Sequence, residues 1–157
     1  MTRVMAVGVF DLLHAGHLHY LEQAKALGDE LVVVVAHDDT VRARKHEPVT
    51  GMELRKRMVE GLKPVDRVII GGPPSQSMFD IVPAVKPDII ALGYDQDHAI
   101  KWIKNELQER GMRGITVTRV EGLTDDLDGT RKIIARIIEL WSVRRQIDEV
   151  ESEQKGD

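Results

Sequence analysis

The feature that most constrains this chain is an alternation along its length. Apolar, β-branched runs of five or six residues are separated by longer segments whose apolar residues recur at helical spacing. The run at 31–36, Leu-Val-Val-Val-Val-Ala, has no polar position. A strand of that kind must be covered on both faces, as in a parallel sheet. The pattern predicts strands over 4–9, 31–36, 65–70, 88–92 and 115–120 and helices over 17–27, 51–62, 78–85, 98–110 and 130–145. Residues 38–50 read as a polar connection. Gly28 and Gly111 stand where two of the helices should stop, and Gly71-Gly72-Pro73-Pro74 closes the third strand. The fold expected is α/β, a doubly wound, mostly parallel five-stranded sheet of Rossmann-like type, in a single domain over 1–145. The polar stretch 146–157 is expected to be a frayed or disordered tail.

Composition limits what such a domain can do. At 157 residues and 42% apolar content it can bury one core without staples. It has no cysteine, which excludes a disulfide scaffold and thiolate-held metals. No apolar run approaches the roughly 18 residues of a membrane span. The first residues lack a signal-peptide cleavage pattern, so a cytoplasmic location and no membrane partner are expected. A net charge of −4 argues against a nucleic-acid coat, so no nucleic-acid partner is expected.

In a doubly wound sheet, ligands sit beyond the carboxyl ends of the strands. The first of these ends reads Gly8-Val9-Phe10-Asp11-Leu12-Leu13-His14-Ala15-Gly16-His17. Two histidines flank a glycine just where a helix begins. Backbone N–H groups and the positive helix end attract an anion, Gly16 permits close approach, and both imidazoles can donate to phosphate oxygens. By spacing alone the pair could also be solvent-facing or part of a metal site. Further ligands for a metal are not evident, and no metal-ligating residues are assigned. Position at the strand-to-helix junction favours phosphate. No lysine P-loop and no G-x-G-x-x-G fingerprint occurs there.

Charge is unevenly distributed. Residues 42–67 carry eight cations against four anions, a net +4 that leaves −8 for the remainder. Most charge runs are solvated helix faces, and Lys56 and Lys63 fit that reading. Lys45 differs, because it lies in the connection after the second strand, on the ligand side of the sheet. Trp141 and the neighbouring isoleucines suit a core or a dimer contact. Tyr94 and Trp102 could either stack on a ring system or pack against the sheet.

The segment GVFDLLHAGH followed by a helix resembles the H-x-G-H signature of the nucleotidyltransferase superfamily, in its cytidylyltransferase-like branch. The stretches LKPVDRVIIG and KPDIIALGYDQ are most similar to those of archaeal FAD synthases, which are FMN adenylyltransferases. The resemblance implies transfer of AMP from ATP to FMN, giving FAD and pyrophosphate. Glycerol-3-phosphate cytidylyltransferases share the N-terminal block, so cytidylyl transfer from CTP to a small polyol phosphate is an alternative. A non-catalytic nucleotide-binding module is a third. His14, Ala15, Gly16 and His17 match the paired-histidine motif, and Gly8, Val9 and Phe10 match the backbone segment beside the nucleotide. Many relatives have Thr where Val9 stands. Lys45 and Arg55 match basic positions that reach the phosphates, and Asp95 matches a nucleotide contact. The hydroxyl pair that opens the last helix in the family reads Gly129-Thr130 here, followed by Arg131. His14, His17 and Lys45 are the implied catalytic groups. Mg²⁺ is the implied ion, held mainly by substrate phosphates, and a homodimer is the implied assembly.

Overall fold

Strand β1 (Arg3–Gly8) lies at the centre of the molecule, paired in parallel with β2 (Glu30–Val35) along its whole length. On its other side it pairs with β4 (Ile89–Leu92). β3 (Arg67–Ile70) adds to β2, and β5 (Thr116–Arg119) adds to β4. The order is therefore β3-β2-β1-β4-β5, all parallel, which realises the doubly wound five-stranded sheet that the sequence pattern predicts. The computed structural model describes residues 1–94, 97–125, 127 and 129–154. No helix among them is long and apolar enough to cross a membrane.

Helices cover both faces. On one, Leu21 and Ala24 of α1 (Ala15–Lys25) and Val59 of α3 (Met52–Glu60) are fully buried against Val4, Ala6, Leu31, Val33 and Val35. On the other, Met5, Val32, Val34 and Ile90 meet Phe79, Val82 and Val85, together with Ile103 and Leu107 of α5 (Asp97–Glu109). Burying each such side chain contributes about 1.5–3 kcal/mol, and the uniformly apolar β2 supplies both faces at once. β1 feeds α1 toward β2, whereas β4 feeds α5 toward β5. The winding thus reverses between β1 and β4, which opens a crevice at their carboxyl ends.

The structure corrects three expectations. The connection 38–50 contains a helix, α2 (Asp38–Arg44), capped by the His37 imidazole, which accepts from the Asp39 amide at 3.2 Å. Only Val41 of this helix is buried, so it has no periodic apolar stripe to betray it. The helix expected over 78–85 is two pieces, a 3₁₀ turn (Met78–Asp80) and α4 (Val82–Val85). A Ser77–Asp80 capping box starts the first, and Lys86 in the left-handed conformation ends the second. Finally, α6 (Thr130–Gln154) runs past residue 145, so residues 146–154 continue a helix where a polar tail was expected.

Candidate active site

β1 and β4 pair only as far as Ala6 and Ala91. Just beyond, the Tyr20 hydroxyl from α1 donates to the Ala91 carbonyl at 2.9 Å and accepts from the Val7 amide at 3.2 Å. It satisfies backbone groups that the diverging strands leave unpaired, and so fixes the width of the crevice. The Phe10 ring lies parallel to Tyr20, with centroids 6.2 Å apart, and tilts against His17 at 5.4 Å. Gly8 has to be glycine for this packing, since a Cβ there would meet the Phe10 ring at 2.9 Å.

His14 and His17 come together as expected from their spacing. His14 is the N-cap of α1, and its Nδ1 accepts from the amides of Gly16 at 3.1 Å and His17 at 3.4 Å. That acceptor role leaves Nε2 to carry the ring proton, a donor for an incoming anion. The two rings stack at 3.7 Å between centroids. Burial, then the adjacent His14 and the charge of Lys45, push the His17 imidazole down to about 4, against the pull of Asp11. The Nδ1 of His17 is buried without a hydrogen-bond partner among the described residues. His17 is therefore a neutral, partly desolvated imidazole next to a helix N-terminus, a setting that gains from a bound polyanion.

The strand-to-helix loop is strained and heavily braced. Phe10 and Leu12 hold left-handed backbone angles, φ 56° and 50°, which cost of order 1 kcal/mol each. Between them, the Asp11 carboxylate is buried. It accepts from the amides of Val49 at 2.6 Å and Thr50 at 3.0 Å, and from the Thr50 hydroxyl at 2.6 Å. Burial raises the Asp11 pKa, but these bonds and the Arg55 charge outweigh it and hold the group below the usual range.

Arg55, whose position the resemblance assigns to the phosphates, lies inside the protein. Only 1% exposed, it donates to the Thr50 carbonyl at 2.9 Å and the Val9 carbonyl at 2.7 Å, and pairs with Asp38 at 2.5 Å. Three of its five N–H groups are engaged by the protein, so it braces the loop. Burial acts to raise the Asp38 carboxyl, yet the bonds from Arg55 and the Met52 amide keep it low.

The remaining residues close the site from two directions. Lys45, the exposed C-cap of α2, is near enough for its charge to act on His17. Arg42 on the same helix is instead tied to Glu47 and Asp39. From the other side, the Thr130 hydroxyl donates to the Asp11 carbonyl at 3.0 Å and so seats the first turn of α6 on the braced loop. Gly129 precedes it with open space around its α-carbon, and Ala15 and Arg131 are exposed. Asp95 lies outside the described residues. Tyr94, just before it, is half exposed, with Gly122 packed beneath its ring.

The cytidylyltransferase-like family profile matches residues 5–148. The chain belongs to the cytidylyltransferase-like family. Among its curated relatives, the FAD synthase of Aciduliprofundum boonei is 51% identical over 88% of this chain and 92% of that protein. The FAD synthase of Thermococcus onnurineus is 46% identical over 88% of this chain and 93% of that protein. A crystal structure titled as the lipopolysaccharide core biosynthesis protein of Thermoplasma volcanium superposes with a TM-score of 0.74 at 44% identity, covering 79% of this chain and 99% of that one. Pantothenate synthetase of Thermus thermophilus, at 12% identity and TM-score 0.57, shares the fold alone.

Within this cytidylyltransferase-like site, sequence reasoning passed over Asp11, Asp38 and Thr50. One signal was available for Asp11: a lone carboxylate in the apolar run 9–13 has to be buried with partners or distort the chain. Asp38 carried no comparable sign, because its partner Arg55 lies 17 positions away on another helix.

Proposed function

We propose that this chain is an FMN adenylyltransferase, which transfers AMP from ATP to FMN and releases pyrophosphate. The observation that carries this reading is the match to proteins named FAD synthase at 43–51% identity along more than nine-tenths of their lengths. The geometry supports it. An oxygen of the FMN phosphate attacks the α-phosphorus of ATP, a P–O bond forms, and the bond to the β-phosphate oxygen breaks. The attacking monoester is mostly dianionic at neutral pH, with a second pKa of about 6, so no side-chain base is needed. Catalysis then reduces to alignment and to stabilising charge on the triphosphate.

In this reading His14 donates from Nε2 and His17 from its neighbouring ring. Gly8, Val9 and Phe10 pass beside the nucleotide, and Gly16 lets the phosphates approach the α1 amides. Lys45 covers them from the α2 side, while Gly129, Thr130 and Arg131 present the α6 N-terminus to the β- or γ-phosphate. Asp95 keeps its role as a nucleotide contact. Among the described residues no group of three His, Cys, Asp or Glu could hold a metal ion. The cationic and imidazole donors present suit phosphate, so Mg²⁺ would enter on the triphosphate oxygens and water, where it screens charge. The chain is proposed to act in the cytoplasm, as a homodimer.

The test is incubation with Mg²⁺, ATP and FMN, measuring FAD and pyrophosphate together. Stoichiometric formation of both is expected. Pyrophosphate only with CTP and glycerol 3-phosphate would replace this reading, and none under either condition would leave a binding module.

A further inference from the structure

We infer that α6 is an interface between two copies of this chain, which pair their α6 helices antiparallel. The helix has 25 residues, roughly 37 Å in length at 1.5 Å per residue. Neither core cluster contains any of its residues. Yet Ile137, Leu140, Trp141, Val143, Ile147 and Val150 are each more than half exposed. Helices in proteins owe most of their stability to packing of an apolar face, and this face has no partner among the described residues of its own chain. A soluble monomer rarely leaves so many large apolar side chains open along one helix.

Charge selects both the occupant and the direction. Residues 130–145 carry Arg131, Lys132, Arg136, Arg144 and Arg145 against Glu139, a net +4. Residues 146–154 carry Asp148, Glu149, Glu151 and Glu153, a net −4. A parallel pair would set like charges side by side, whereas an antiparallel pair lays each basic half on an acidic one. Centred on Ser142, the midpoint of the helix, this arrangement brings Ile137 opposite Ile147. The same chain therefore supplies both the apolar and the electrostatic complement. Because Thr130 seats the helix on the Asp11 loop, the contact also steadies that half of the site. The proposal gives a surface to the homodimer above and does not depend on which nucleotide is transferred.

Sedimentation equilibrium of the full chain tests it. A dimer with a micromolar or tighter Kd is expected, and the triple variant Ile137→Gln, Leu140→Gln, Ile147→Gln should weaken it at least about 30-fold. Glutamine keeps helix propensity, so far-ultraviolet circular dichroism and thermal unfolding should show that variant folded. The His17→Ala chain should dimerise normally, which separates failure of this proposal from failure of the catalytic reading. Because the chain lacks cysteine, direction is read cleanly. A short bis-maleimide should join Lys132→Cys to Ser152→Cys in a mixture and leave Lys132→Cys alone uncrosslinked. A monomer at all concentrations, including one that instead binds anionic vesicles, would overturn the proposal. So would a dimer indifferent to the triple variant, or Lys132→Cys self-crosslinking.

Discussion

The two ends of the proposed phosphate site are built in opposite ways. At the β1–α1 loop almost every polar group is spent on the protein itself. Arg55 holds the Val9 carbonyl, Asp11 holds the 49–50 backbone, and His14 caps its own helix. At the α6 end, Thr130 makes one anchoring bond, Gly129 stands in open space, and the helix runs outward with its apolar face uncovered. The first end resembles an enzyme core, where strain is tolerated because surrounding bonds over-determine it. Under the two proposals above, the second is completed from outside, by ligand or partner. Substitutions at the first end should therefore act on turnover and on folding, and those at the second mainly on affinity.

The largest effect expected at the braced end follows removal of a donor. His17→Ala should lower kcat for FAD formation by about 10²–10³, the usual cost of losing one group that stabilises transition-state charge. The Michaelis constants should change little. A near-normal turnover rate would remove His17 from the mechanism. Next is Arg55→Met, which leaves the Asp38 carboxylate without its partner and frees the Val9 carbonyl. Breaking such a pair typically costs about 3 kcal/mol, read as a lowered urea midpoint with unchanged slope. Stability close to that of the parent chain would show that Arg55 is not a brace.

The same contrast explains what could be read without coordinates. β2 was legible because a wholly apolar run permits only a doubly covered strand. The histidine pair was legible because three-residue spacing across a glycine at a helix start sets both rings on one edge. Arg55 was not, since its partners at positions 9, 38 and 50 converge only through the fold. A basic residue in a helical charge run otherwise reads as solvated. α2 was hidden by its lone buried Val41, and the end of α6 by the polar character of residues 146–154, where only Ile147 and Val150 mark a face. In each case the missing information was the long-range partner that supplies burial.

Acidity probes the braced end in a third way. The His17 pKa of about 4 in the folded chain lies below the 6.5 of the free imidazole, so the unfolded chain binds more protons between those values. Stability should be fully present above pH 6.5 and fall as pH drops toward 4, by on the order of 2 kcal/mol. Asp11 and Asp38, also held low, should extend the loss at more acidic pH. Denaturant midpoints across this range, flattened between pH 6.5 and 4 in His17→Gln, check the assignment. An unchanged slope in the variant would place the sensitivity elsewhere.

The smallest effect belongs to the open end. Gly129 is the N-cap of α6, its carbonyl accepting from the Ile133 amide at 3.1 Å, and a Cβ there would meet nothing within 4 Å among the described residues. Serine therefore fits without displacement, and as an N-cap it gains only a few tenths of a kcal/mol over glycine. Its hydroxyl would also restore a donor beside Thr130 at the helix end proposed to face the β- or γ-phosphate. Gly129→Ser should lower the KM for ATP by about two- to five-fold, the worth of one modest hydrogen bond, while kcat and the KM for FMN stay fixed. A fall in the FMN constant instead would place the acceptor, not the triphosphate, at the start of α6. No change in either would separate that helix end from the substrates, and would confine the proposed site to the braced loop and Lys45.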